Sequence, residues 1–223
     1  MDKWTGLNRT AESIRNPKIT SDIYLHFSTL SEDVKKYSHL ASGILLDLGS
    51  GTSPYKPFFH HVKKYITLDF FYNKQKPDII ADALKLPIKS NSINTVLCTQ
   101  VLEHTPYPQI LVDEIYRILK KDGICILTTH MATPLHGLPH DYFRFTNIGL
   151  KNVIFKNFRE IFVKENGGSL LAIFQYINWA LSSKLPRFLS LPLIVLINIV
   201  IKPLDRIFHD TNLTINYIVV AKK

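Results

Sequence analysis

Ile44-Leu45-Leu46-Asp47-Leu48-Gly49-Ser50-Gly51-Thr52-Ser53-Pro54 runs an apolar strand straight into a glycine turn. Gly49 and Gly51 carry no Cβ, so both can take positive φ and bring main-chain N–H groups close to a bound group, at the start of a helix expected to follow. Two glycines after a strand also make many ordinary tight turns. The spacing downstream discriminates.

Tyr65-Ile66-Thr67-Leu68-Asp69 reads as a second strand, and its closing carboxylate lies roughly 20 residues beyond the glycines, where dinucleotide-type folds hold ribose hydroxyls. A third strand, Asp78 to Ala81, leads into Asp82-Ala83-Leu84, and a fourth runs from Asn94 to Thr99. Acids or polar residues thus close each strand, as expected where ligands bind at the carboxyl edge of an open α/β sheet.

Five ordered pieces carry a resemblance: Leu46-Asp47-Leu48-Gly49-Ser50-Gly51, Leu68-Asp69, Ala81-Asp82-Ala83-Leu84-Lys85-Leu86-Pro87, Val101-Leu102-Glu103-His104 and Arg117-Ile118-Leu119-Lys120-Lys121-Asp122-Gly123. In order and spacing they resemble the class I S-adenosylmethionine-dependent methyltransferases, type-11 subgroup. The resemblance implies an α/β, Rossmann-like doubly wound sheet of seven mostly parallel strands, with the last antiparallel. It also implies methyl transfer from the cofactor S-adenosyl-L-methionine. Carried over by motif, Asp47, Gly49, Ser50 and Gly51 would hold the methionine portion, Asp69 the ribose, and Asp82 with Ala83 the adenine edge. Thr99 closes the cofactor set.

One departure stands where many relatives place a third glycine: Thr52-Ser53, then Pro54. Proline suits a first helical turn, so a helix is still expected there. A nicotinamide-type oxidoreductase needs a small residue offering its N–H at position 54, and proline has none to give a pyrophosphate.

Residues 1–39 are expected to form an N-terminal helical cap, with a helix from about Asp22 to His39 closing over the cofactor. Residues 40–223 would form the methyltransferase domain, divided into a cofactor half (40–129) and an acceptor half (130–223) with an insertion at 168–210. Pro108 to Lys121 places Leu111, Ile115, Ile118 and Leu119 on one helical stripe. Ile124 to Thr129 reads as a fifth strand, Phe158 to Glu165 as a sixth and Thr214 to Ala221 as the last. Met1 to Ile14 lacks the apolar core of a secretory signal, which suggests a cytoplasmic protein. Cys98 and Cys125 fall within predicted strands and read as buried thiols. No zinc-type spacing is present, and adjacent His60 and His61 do not face one ligand, so no metal is expected.

The loop from His130 to Thr146 concentrates polar chemistry: His136, His140, Asp141, Tyr142 and Arg144. It follows a strand's carboxyl end, so it should cover the cleft. Methyl transfer gains mostly from positioning, and a hydroxyl acceptor also needs a base, for which histidine has a suitable pKa. His140 is the first candidate, Asp141 an orienting group and His104 a further candidate. Each has a structural reading: His140 and Asp141 tie the loop or cap a helix near Thr146, Glu103 complements a helix N-terminus, and His104 supports its neighbours. The run Pro139 to Thr146 also resembles type-11 members associated with bacterial surface-polysaccharide and glycolipid genes. That resemblance implies O-methylation of a saccharide, glycolipid or related small acceptor. The alternative is a catalytically silent partner or scaffold protein of the same fold.

Residues 151–223 hold ten Lys/Arg against four Asp/Glu, whereas the first 150 hold seventeen against fourteen. This basic excess accompanies the apolar run Phe188 to Ile201, bracketed by Lys184, Arg187, Lys202 and Arg206. That run has fourteen residues, interrupted by Pro192 and Asn198, against the roughly 20 that a membrane span needs. The expectation is an anionic membrane surface met peripherally at its inner face, a pocket for a lipid-linked acceptor, or a homodimer face. Nucleic acid is not expected, because the basic residues accompany aliphatic rather than stacking side chains.

Overall fold

The computed structural model describes residues 9–71 and 76–223, so the first eight residues of the expected cap lie outside it. Among the described residues, β1 (Ile44–Leu48), β2 (Lys64–Asp69), β3 (Ile79–Ile80), β4 (Ile93–Thr99), β5 (Leu119–His130), β6 (Glu160–Asn166) and β7 (Asn216–Lys222) form one sheet. Its order is β3-β2-β1-β4-β5-β7-β6. Strands β1 to β5 pair in parallel, and β7 runs antiparallel between β5 and β6. This is the Rossmann-like methyltransferase arrangement that the motifs imply.

Both faces of the sheet are covered, which is why its strands read as continuous apolar runs rather than alternating ones. On one face Leu45, Leu97, Ile126 and Ile218 pack with Val34 and Tyr37 of α2 (Tyr24–Ser38), and with Tyr55 and Phe59. Residues one step along the strands, including Leu46, Leu48, Val96, Cys98 and Leu127, face the other way. They meet Leu111, Val112, Ile115 and Ile118 of α3 (Pro108–Ile118). Each of these four fully buried side chains contributes about 2 kcal/mol of gross burial energy. Helix α2 therefore serves as a covering layer of the sheet; before it lies the short α1 (Ala11–Arg15), capped by Thr10 Oγ1 on Ser13 N. Cys98 and Cys125 are free and buried.

Where the sequence suggests a helix after the glycine turn, there is one 3-10 turn, Lys56–Phe59. Pro54 and Pro57 remove two main-chain donors from the would-be first turns, and Ser53 has a left-handed φ of 48°. His60 and His61 follow this turn rather than lying on a helix, and His61 Nε2 contacts Ala41 O at 3.2 Å. Thr146 itself caps the short α4 (Asn147–Gly149), accepting from Gly149 N at 3.1 Å; His140 and Asp141 do not cap it.

The segment between β6 and β7 forms two helices, α5 (Ser169–Lys184) and α6 (Arg187–Ile207). Helix α6 has 21 residues and continues through Pro192 and Pro203, so the fourteen-residue estimate from sequence was too short. In length and composition it reaches what a membrane span requires, although a third of its most apolar window is buried within the protein. Packing overrides the prolines. Asp205 accepts from Gly168 N and Leu171 N, both at 2.9 Å, and thereby caps α5 from the neighbouring helix. Asn198 accepts from Asn178 at 2.8 Å and donates to the carbonyls of Ile19 and Ser21.

The polarity of α6 is inverted. Its buried stripe is Ser190, Ile194, Asn198, Ile201 and Asp205, three of them polar, while Phe188, Leu193, Leu196 and Ile199 are exposed. Large apolar surfaces left open in this way mark contact sites rather than ordinary solvent faces.

Candidate functional site

The glycine turn is tied down by β2. Gly49 N and Ser50 N donate to Leu68 O at 2.9 and 3.0 Å, and Gly51 N donates to Asp69 Oδ2 at 2.8 Å. Gly49 has φ 69°, and a Cβ there would fall 2.3 Å from Val101 Cγ2, so no other residue fits. Gly51 also has positive φ, but a Cβ there would meet nothing within 4 Å. The turn therefore opens upward onto free space, with the Asp69 carboxylate beside it: a cradle that fits a nucleoside cofactor.

Asp47 is buried at the end of β1, and Tyr65 Oη donates to its Oδ2 at 2.7 Å. Burial pushes the Asp47 carboxyl up to about 6, against the opposing pull of the Tyr65 hydrogen bond. Asp82 is exposed beyond β3 and accepts from Leu84 N at 2.9 Å, with Ala83 half-buried beside it. Thr99, half-buried, closes β4 in register with Thr128. The cofactor residues expected from sequence thus gather along the carboxyl edge of β1 to β4. Phe70 and Phe71, directly after the strand-closing Asp69, are exposed beside this edge.

The side expected from sequence to meet the acceptor is built at the ends of β4 and β5. A 3-10 turn, Leu102–His104, leaves β4 with Glu103 fully buried. Glu103 Oε2 accepts from Thr129 Oγ1 at 2.8 Å, and Oε1 lies 3.1 Å from Nε2 of the buried His130. The Glu103 carbonyl accepts from Tyr142 N and Phe143 N, which pins the following loop back onto the turn. Burial raises the Glu103 pKa and holds His130 well below the usual histidine range.

His104 Nδ1 contacts the carbonyl of His140 at 2.5 Å, and that carbonyl can only accept. Nδ1 therefore carries the proton, leaving Nε2 as the basic nitrogen. The His104 ring lies edge-on to that of His136, with centroids 4.8 Å apart, and His136 sits equally far from His130. Buried His26 completes the row, 5.6 Å from His130. His140 is exposed, with Nδ1 3.1 Å from Tyr142 Oη.

Asp141 is a loop clamp. It takes two hydrogen bonds from Arg144, at 2.6 and 2.9 Å, and one from His136 N at 2.9 Å. Burial alone would raise its pKa, but the Arg144 and His136 hydrogen bonds outweigh that and hold it down to about 2. The structure thus brings His104 and His140 into one loop cluster and commits Asp141 to holding it. His130 was missed by the sequence reading; its signal was an imidazole closing an otherwise apolar strand.

Residues 46–127 match a family model described as a methyltransferase domain. Over 111 residues the chain is 36% identical to an uncharacterised protein of Methanocaldococcus jannaschii, a match covering 46% of this chain and 48% of that one. The chain thus spans about half the length of the curated relative it matches. Among solved structures, a SAM-dependent methyltransferase from Archaeoglobus fulgidus has a TM-score of 0.58 at 18% identity, covering 95% of this chain and 97% of that one. The (4+2)-cyclase SpnF has a TM-score of 0.56 at 19% identity, covering 87% and 79%. At such identities the two structures show a shared fold, which in one case serves a different reaction.

Proposed function

We propose that this chain, which carries a class I S-adenosylmethionine-dependent methyltransferase domain of the type-11 kind, O-methylates a saccharide, glycolipid or related small acceptor. One observation carries the reading. The cofactor turn touches Val101, which leads directly into the turn Leu102–His104, so the segment that carries Glu103 and His104 adjoins the glycine cradle. S-adenosylmethionine, when bound, supplies an electrophilic methyl group on sulfur. Asp69, Ser50 and the Gly51 N–H line the place where the nucleoside and amino-acid ends would lie. Asp82 and Ala83 edge the adenine position.

His104 is the better placed of the two candidate bases, because its Nδ1 contact fixes the imidazole and leaves Nε2 to take a hydroxyl proton. His140 and Tyr142, both exposed, would meet the acceptor at the rim. Helix α6 supports a lipid-linked acceptor or peripheral attachment to the inner face of a membrane: its outer face is apolar, and Lys184 and Arg187 stand at its start. The same face would serve a homodimer.

Calorimetric titration with S-adenosylhomocysteine, followed by donor consumption with saccharide and glycolipid acceptors, tests the proposal. Binding and turnover are expected. Binding without turnover on any acceptor would favour the silent scaffold, and no binding would refute both.

A further inference from the structure

Glu103 Oε1 and His130 Nε2 face each other across 3.1 Å, and Glu103 Oε1 has no hydrogen-bond partner. The orientation follows from a chain of hydrogen bonds that begins at a carboxylate. Asp33 can only accept, so Asn166 Nδ2 donates to it at 2.8 Å and Asn166 Oδ1 points the other way. That oxygen accepts from Asn216 Nδ2 at 3.3 Å, which turns Asn216 Oδ1 towards His130 Nδ1 at 2.7 Å. Nδ1 therefore carries the proton, and Nε2 presents a lone pair to the carboxylate.

His136 repeats the arrangement. Its Nδ1 lies 3.0 Å from Pro134 O, an acceptor only, so its Nε2 also presents a lone pair. Ligand atoms of Glu103, His130 and His136 all lie within 4.8 Å of one another. Two buried polar atoms at this place, Glu103 Oε1 and His26 Nε2, have no hydrogen-bond partner. Imidazoles whose far nitrogens are tied to oxygen acceptors, set beside a carboxylate, are the usual surroundings of a bound transition metal.

We propose that Glu103, His130 and His136 form a binding site for one divalent transition-metal ion. Bonds of about 2.0–2.2 Å at a tetrahedral angle hold ligand atoms about 3.3–3.6 Å apart, a few tenths of an ångström beyond the 3.1 Å Glu103–His130 spacing. Two imidazoles and one carboxylate suit zinc, iron or cobalt and leave an open position. His136, half-buried in the loop, forms the side through which the ion enters and the open position is reached. An acceptor oxygen at the cleft would fill that position. A second grouping, His104, His136 and Asp141, also has clustered ligand atoms, but Arg144 already neutralises Asp141 through two hydrogen bonds. Glu103 follows β4 while His130 and His136 end and follow β5, so the carboxylate comes from a separate segment, which is why sequence spacing gave no sign of a metal.

The experiment uses the full chain, stripped of metal and titrated with Zn2+ by calorimetry and with Co2+ by visible absorption. One ion per chain is expected, with Co2+ bands of a four- or five-coordinate centre. His136→Ala, in the loop, and Glu103→Gln, of equal size, should each weaken binding at least tenfold, while His104→Asn should leave it within about threefold. If neither ion binds, or if binding survives both substitutions, the pair shares only a proton and the proposal is overturned. Loss through His104→Asn with retention in Glu103→Gln would overturn it as well. The readout is metal affinity alone, so its failure is separable from failure of S-adenosylhomocysteine to bind.

Discussion

His130 and Asn216 sit directly opposite each other in the β5–β7 ladder, and their side chains meet at 2.7 Å. Asn166 occupies the same level on β6, so three polar residues on three neighbouring strands close the buried end of the sheet. Asn216→Ala removes the shared partner and leaves His130 Nδ1 and Asn166 Oδ1 short of a hydrogen bond. Urea unfolding should show a loss of about 1–3 kcal/mol. A change below about 0.5 kcal/mol would mean that water takes the place of the amide.

Asp47 yields a prediction about pH. Its folded pKa of about 6 lies above the unfolded value, so its contribution is fullest below about pH 4 and is lost as pH rises through 6. Asp47→Asn keeps an acceptor for Tyr65 and removes the buried charge. At pH 7.5 the variant without cofactor should be more stable than the parent, by up to about 3 kcal/mol, and the difference should vanish near pH 4. S-adenosylhomocysteine should nevertheless bind it more weakly if Asp47 serves the cofactor. Lower stability at pH 7.5 would contradict the burial argument.

Asp69→Ala should weaken S-adenosylhomocysteine binding by about 1–3 kcal/mol, through loss of a charged acceptor and of the anchor on Gly51 N. Unchanged affinity in calorimetry would remove Asp69 from the site.

Asp205→Ala strips the cap from α5 and frees two buried main-chain donors, Gly168 N and Leu171 N. A loss of about 1–2 kcal/mol is expected in chemical denaturation, with an unchanged slope against denaturant. No loss would show that α5 is capped another way.

Replacing Leu193, Leu196 and Ile199 together by Gln alters only the outer face of α6 and leaves its buried stripe intact. Co-sedimentation with anionic vesicles should fall sharply while the circular dichroism spectrum is kept. Vesicle binding at the parent level would exclude this face as the membrane contact.

The sheet was legible because the central stretches of β1, β4, β5 and β7 are buried on both sides and mostly apolar, and because Gly49 and Asp69 mark strand ends with residue types the turn requires. The 3-10 turn after the glycines was not, since Pro54 alone favours a helix start and only Pro57 with the left-handed Ser53 prevents one. The length of α6 was hidden for a related reason. Pro192 and Asn198 read as interruptions, whereas the partners of Asn198 and Asp205, which reconcile them with a helix, lie twenty or more positions away. The Glu103–His130 pair is formed by tertiary structure alone, and no local pattern announces it.

The position of β7 between β5 and β6 has a consequence during synthesis. On the ribosome β6 emerges before the strand that joins it to the rest of the sheet, and α5 and α6 emerge in between. Until β7 arrives, this helical hairpin hangs from an edge that has no neighbour. Its apolar outer side is then exposed before the nascent domain has closed.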